Sequence, residues 1–138
     1  YGYAGDVRCV NAGALKTLVD GGTVPVLCPI THDGDGQLLN TNADTIAGST
    51  ASALAAHFDV TLTFCFEKSG VLLDPEDPSS VVRVLSQSDF AAYRESGRIS
   101  GGMIPKLDNA FAAIAAGVGK VVITDASALG TDSGTIIL

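Results

Sequence analysis

Two apolar periodicities alternate along the chain, and together they predict most of its elements. In residues 11–20 (NAGALKTLVD), Ala14, Leu15 and Leu18 fall at helical spacing, and Gly21-Gly22 ends the helix. Residues 23–30 (TVPVLCPI) form a continuous apolar, β-branched run, which predicts a buried strand. Two Asp-Gly pairs in residues 32–37 (HDGDGQ) signal a hairpin or loop tip, and residues 37–40 resume an extended pattern. Residues 44–58 are Ala-rich and predict a helix, and residues 60–66 (VTLTFCF) predict a strand. The acidic, Pro-rich residues 74–80 (DPEDPSS) read as a surface loop. A short helix over 86–96 follows, then a helix over 104–116 with Pro105 in its first turn and Gly117 as its stop. Residues 119–124 and 134–138 predict the last two strands.

Strands that alternate with helices imply an α/β fold with a largely parallel, helix-covered sheet. Ligands on such sheets bind beyond the carboxyl ends of the strands, where strand, loop and helix N-terminus meet. Those junctions are where candidate chemistry is sought.

Composition narrows the reading. At 138 residues the chain has the size of one domain, covering 1–138. Eight basic against 15 acidic residues, −7 net, argue against a nucleic-acid or anionic-membrane surface, since both need a basic patch. Hydrophobic residues make up 46% and charged residues 17%, yet no run approaches the ~18 apolar residues of a membrane helix. The apolar excess therefore belongs in doubly buried strands or on a surface that something else covers. Cys9, Cys28 and Cys65 are odd in number, widely spaced and without a CxxC. They are expected to be buried free thiols of a cytoplasmic protein. The chain opens on Tyr1-Gly2-Tyr3 with no charged-then-apolar leader, so it is expected to be a processed chain or part of a longer one.

Three junctions could carry chemistry. Ser100-Gly101-Gly102-Met103-Ile104-Pro105-Lys106 puts two glycines before a helix start and a lysine in its first turn. Free amides, the helix dipole and a full positive charge then converge, which is the logic of a phosphate cradle. The spacing is not GxxxxGK[ST], and a Gly-rich turn beside a solvated lysine has the same pattern. Asn40, Asn42 and Asp44 alternate just before a helix and would share one face if extended. The plainer reading is that Asn42 or Asp44 caps that helix. Phe66-Glu67-Lys68-Ser69-Gly70-Val71 follows a strand end, where nucleotide loops lie, or is simply a turn into a short extended segment. Asp33-Gly34-Asp35-Gly36 lacks the further ligands of a calcium loop and reads as a turn. His32 and His57 have no nucleophile at a recognisable spacing.

The motifs in order are Val7…Asn11, then 24–30 (VPVLCPI), 39–45 (LNTNADT), 69–72 (SGVL), 99–106 (ISGGMIPK) and 134–137 (GTII). Over essentially the whole chain this order resembles the C-terminal, ATP-binding half of the acetylglutamate kinases, in the amino-acid kinase family. The segment 64–68 (FCFEK) is similar to a Bacteroidetes-type variant, with Glu67-Lys68 where the family usually carries Asp-Val. The resemblance implies a three-layer αβα, carbamate kinase-like fold, here one C-terminal lobe whose N-terminal substrate lobe lies outside the chain. That other half would carry a Gly-rich loop with another lysine, a Gly-Gly loop and an arginine.

The resemblance further implies ATP with Mg²⁺ and phosphorylation of the γ-carboxylate of N-acetyl-L-glutamate, in arginine biosynthesis. By position, Asn40 would bind the amino-acid substrate, Lys106 would stabilise the transferring phosphoryl, and Asp44 would orient the catalytic lysines. Glu67, Lys68, Ser69, Gly70, Val71 and Leu72, with Arg98, Ile99 and Ser100, would line the ATP pocket. The partners expected are a small-molecule N-acyl-L-glutamate, the absent N-terminal half and further copies in a homo-oligomer. The chain alone is expected to be inactive. The alternatives are a kinase for N-succinylglutamate or another amino acid, and a non-catalytic nucleotide-binding module.

Overall fold

The computed structural model describes residues 2–131 and 133–138. Helix α1 (Ala12–Asp20) is capped by the Asn11 side chain, which accepts from the Ala14 amide at 3.0 Å. Strands β1 (Ile30–His32) and β2 (Leu38–Asn40) pair antiparallel as a small hairpin. Its tip is held by Asp33, whose carboxylate accepts from the Asp35 and Gln37 amides at 2.8 and 3.1 Å. These amides keep the Asp33 carboxyl below its ordinary range, the Asp35 bond contributing most. The hairpin expected from the two Asp-Gly pairs is therefore formed.

The main sheet has four strands in the order β3-β5-β6-β4. These are β3 (Thr61–Phe66), β4 (Val84–Leu85), β5 (Lys120–Asp125) and β6 (Thr135–Ile137). β3 runs parallel to β5, and β4 parallel to β6, but β5 and β6 are antiparallel. The sheet is thus largely parallel, as expected, with a single antiparallel pairing between β5 and β6. The reason is the short link between Asp125 and Thr135, too short for a parallel crossover of a dozen or more residues.

Strand alternation sorts the sheet into two unlike faces. Leu62, Phe64, Val121, Ile123, Leu85 and Ile137 lie on one face and are buried. Helices α2 (Ala43–Leu54), α3 (Gln87–Glu95) and α4 (Met103–Ala115) complete this core, with Ala51, Phe90, Leu107, Ala110 and Ala113 buried among it. The Phe90 ring stacks on Phe111, centroids 5.4 Å apart. On the opposite face Cys65 and Val84 are exposed and Thr63, Val122 and Ile136 are half-buried, while Thr124 is buried. Among the described residues the helices in contact with the sheet, α2 against β3 and α4 against β5 and β6, pack on the buried face.

Two more expectations are corrected. Residues 23–29 make no strand; the ladder starts at Ile30, preceded by one backbone bond from the Thr41 amide to the Pro29 carbonyl, and Val24 and Val26 are 84% and 92% exposed. Pro25 and Pro29 lack amide donors, and the described chain offers this run no partner strand. The three cysteines are free but exposed, not buried. Cys65 is exposed because it points from β3 to the face opposite these helices, and Cys9 and Cys28 lie in irregular segments.

Candidate functional site

The helices α2 and α4 are built to approach each other closely. α2 buries Gly48 and Ala51, and α4 buries Ala110 and Ala113. Small residues at these positions let the two backbones come together and their first turns meet. Asp44 stands one turn before Gly48, and Lys106 one turn before Ala110. The result is an ion pair between residues 62 apart in sequence, with Lys106 Nζ donating to Asp44 Oδ2 at 2.6 Å. The Lys106 side chain is 14% exposed and that of Asp44 35%.

The pair lies over the carboxyl end of β3, because each helix runs back antiparallel to the parallel strand that follows it. Phe64 and Phe66 project to the helix-covered face from alternate positions of β3. Lys106 Nζ sits 5.2 Å from the Phe64 ring centroid and 5.6 Å from that of Phe66. Both distances are within the range of a cation–π contact.

The loop entering α4 is open. Gly102 caps the helix with no side-chain hydrogen bond, and Gly101 adopts φ +60. A Cβ at either glycine would meet nothing within 4 Å. The Ile104 amide bonds the Gly101 carbonyl at 3.2 Å and Pro105 has no amide, so it is the exposed glycine turn beside a lysine that suits an anion. Ser100 and Arg98, just before it, are exposed. Ile99 between them is 3% exposed and belongs to the core; its amide bonds the Tyr93 carbonyl at 3.1 Å.

The loop after β3 divides in the same way. Glu67 and Lys68 are exposed, and Lys68 Nζ donates to the Pro75 carbonyl at 3.2 Å. Ser69 is half-buried, and Leu72 makes an isolated bridge to Val81. Gly70 has no room for a side chain, because a Cβ there would sit 2.7 Å from Thr135 Oγ1. Val71 is wholly buried and its carbonyl accepts from the Val82 amide at 2.9 Å, so it presents no group to a ligand and belongs to the core. Thr135 ties this loop to the sheet: its hydroxyl accepts from the Val71 amide at 2.8 Å and donates to the Val82 carbonyl at 2.6 Å. No pattern in the sequence singles out Thr135, since its two partners lie 64 and 53 residues away.

Asn40 ends β2 and its backbone pairs with Tyr3 and Gly5, while the residue itself is exposed. The extended alternation of Asn40, Asn42 and Asp44 breaks where α2 begins. Asn42 is the cap, accepting from the Thr45 amide at 3.1 Å, which leaves Asp44 free for Lys106. Asp125, at the carboxyl end of β5, pairs in register with Phe66. The Ser127 hydroxyl holds its carboxyl below the ordinary range, so it adds a negative charge beside the site at neutral pH.

Comparison with known proteins agrees with this geometry. Residues 2–125 match the amino acid kinase family. The acetylglutamate kinase of Phocaeicola vulgatus is 59% identical over 137 residues, covering 99% of this chain and 53% of that protein. The crystal structure of smu.665 from Streptococcus mutans UA159 superposes with a TM-score of 0.82 at 34% identity, covering 99% of this chain and 51% of the other. Giardia carbamate kinase shares the fold, with a TM-score of 0.70 at 20% identity over 96% of this chain and 48% of the other. The chain spans about half the length of the curated relatives it matches.

Proposed function

The chain belongs to the amino acid kinase family, and from that premise we propose that the polypeptide carrying it transfers the γ-phosphoryl group of ATP to the γ-carboxylate of N-acetyl-L-glutamate. The product would be an acyl phosphate, a step of arginine biosynthesis. The observation that carries the proposal is the half-buried Lys106–Asp44 pair, set beside the open N-terminus of α4.

This chain supplies the nucleotide side of the reaction, as a C-terminal lobe. A carboxylate acceptor is already ionised near pH 7, so it needs no general base. Its oxygen attacks the γ-phosphorus while the bond to the β,γ-bridging oxygen breaks, and ADP leaves. Such a transfer depends mainly on in-line placement and on positive charge near the moving oxygens. Lys106 provides that charge. Asp44 aims the ammonium and is not required to take a proton. The exposed amides at Gly101 and Gly102 fit a phosphate, and Arg98 and Ser100 flank it. Glu67, Lys68, Ser69 and Leu72 form the remaining wall, with Gly70 and Val71 buried behind them, and Asn40 contacts the amino-acid substrate. Mg²⁺ would come with the nucleotide and would neutralise part of its phosphate charge.

The test is hydroxamate trapping of the acyl phosphate, made by the polypeptide as encoded with ATP, Mg²⁺ and N-acetyl-L-glutamate. Lys106→Ala is expected to lower kcat about a hundredfold or more while changing KM little, as for loss of a charge used in the transition state. Turnover that survives Lys106→Ala unchanged would refute the assignment. Faster trapping with N-succinyl-L-glutamate would move the substrate but keep the chemistry. This 138-residue chain alone is expected to show negligible turnover.

A further inference from the structure

Lys106 is held by more than its ion pair: where Lys16, paired with Asp20, lies over the single ring of Phe58, Lys106 lies over two rings. One hydrogen bond goes to Asp44, and two aromatic faces take up the rest of the near side. Phe64 is 4% exposed and Phe66 is half-buried, so the rings form an apolar floor under the ammonium. An ammonium has three donors, and Asp44 accepts one. A ring face attracts the cation through its quadrupole without claiming a donor as an oxygen would. The remaining N–H groups are therefore left for an anion while the cation stays in place. A second carboxylate there would bind the lysine more tightly but would compete for those donors and repel a phosphate.

We propose that Phe66, with Phe64 below it, is a positioning residue: the two rings cradle the Lys106 ammonium so that it stays aimed at the transferring phosphoryl when its bond to Asp44 loosens. The proposal rests on the reading of Lys106 as the charge that stabilises that group. It also gives the aromatic spacing of residues 64–66 a use beyond core filling. An aliphatic side chain at position 66 would fill similar space but supply no quadrupole. Cys65, between the two rings in sequence, points to the other face of the sheet and serves as the control position.

The test uses the polypeptide as encoded and separates packing from electrostatics. Phe66→Leu is expected to lower kcat about tenfold, with KM for ATP and for the acyl-amino acid within about twofold. Phe66→Tyr is expected to restore kcat to within about threefold, because the ring face is kept. Stepwise fluorination of the ring at position 66 keeps its volume and weakens its quadrupole, so kcat should fall with each added fluorine. Cys65→Ser should leave kcat unchanged. By NMR, the Lys106 ε-methylene protons should be shifted upfield by the rings in the parent and in Phe66→Tyr, and move back downfield in Phe66→Leu. Equal kcat for Phe66→Leu and Phe66→Tyr, or no response to fluorination, would overturn the cradle if Lys106→Ala remains impaired. Unchanged kcat in Lys106→Ala would instead overturn the phosphoryl-transfer reading itself, even with the ring-current shift intact.

Discussion

Thr135 is the residue on which the loop after β3 hangs. Its side chain is fully buried and satisfies one amide and one carbonyl from two different segments. Thr135→Val keeps the shape but leaves both backbone groups without a partner in a dry site. The expected cost is about 2 kcal/mol, read in thermal melts as a fall in Tm of roughly 5–10 °C. The segment 70–72 should loosen at the same time, visible as faster amide exchange at Val71. A melt identical to the parent would show that the hydroxyl holds nothing. Asp44 and Asn42 illustrate the same scale from the other side. Both are good helix caps by residue type, and the sequence could not choose between them. The fold chooses Asn42, because its extended backbone at φ −62, ψ 129 suits a cap, while Asp44 already lies within the helix.

Among the elements, the two apolar runs 23–30 and 60–66 look alike in sequence and end up in opposite situations. β3 finds a parallel partner in β5 and a helical cover, and it becomes core. The run 23–29 finds neither. Apolar continuity reports that a segment can be a buried strand; it does not supply the neighbour. The contrast is measurable in this chain. Val26→Ser, at a site 92% exposed, is expected to change stability by no more than about 0.5 kcal/mol. Val121→Ser, at a wholly buried position of β5, should cost about 3 kcal/mol through lost packing and a buried hydroxyl. Denaturant melts of both variants check this, and a large effect at Val26 would mean that the segment is covered after all.

The molecule as a whole is lopsided. Helices cover one face of the sheet, and β3 lies at the sheet's edge. Val24, Val26, Leu27, Ile30 and Leu38 add exposed apolar surface nearby. A groove of about 330 Å³ between α2, β3 and residues 27–29 adds to it, lined in part by Ile46, Ala47 and Leu54. Uncovered strand edges and apolar patches of this kind drive association. The 138-residue chain is therefore expected to self-associate as its concentration rises, and Val24→Ser with Val26→Ser should shift it toward monomer. Light scattering across a concentration series decides this; a monomer at all concentrations would count against it. Among the described residues, no helix is long and apolar enough to cross a membrane, so this apolar surface is not that of a spanning helix.

Much of this was readable along the chain. Local periodicity and turn chemistry determined the helices, the Asp-Gly hairpin, the loop over 74–80 and three of the main-sheet strands, since each depends on neighbours a few residues away. The glycines before α4 and Lys106 in its first turn were visible for the same reason. Tertiary structure decided the rest. It turned β6 antiparallel to β5, left 23–29 outside any strand, exposed the cysteines, and brought Asp44, Lys106, Phe64 and Phe66 to one point. Those outcomes depend on partners tens of residues apart, on connection length and on how closely small residues let two helices pack. No local pattern of hydrophobic and polar residues encodes such distances.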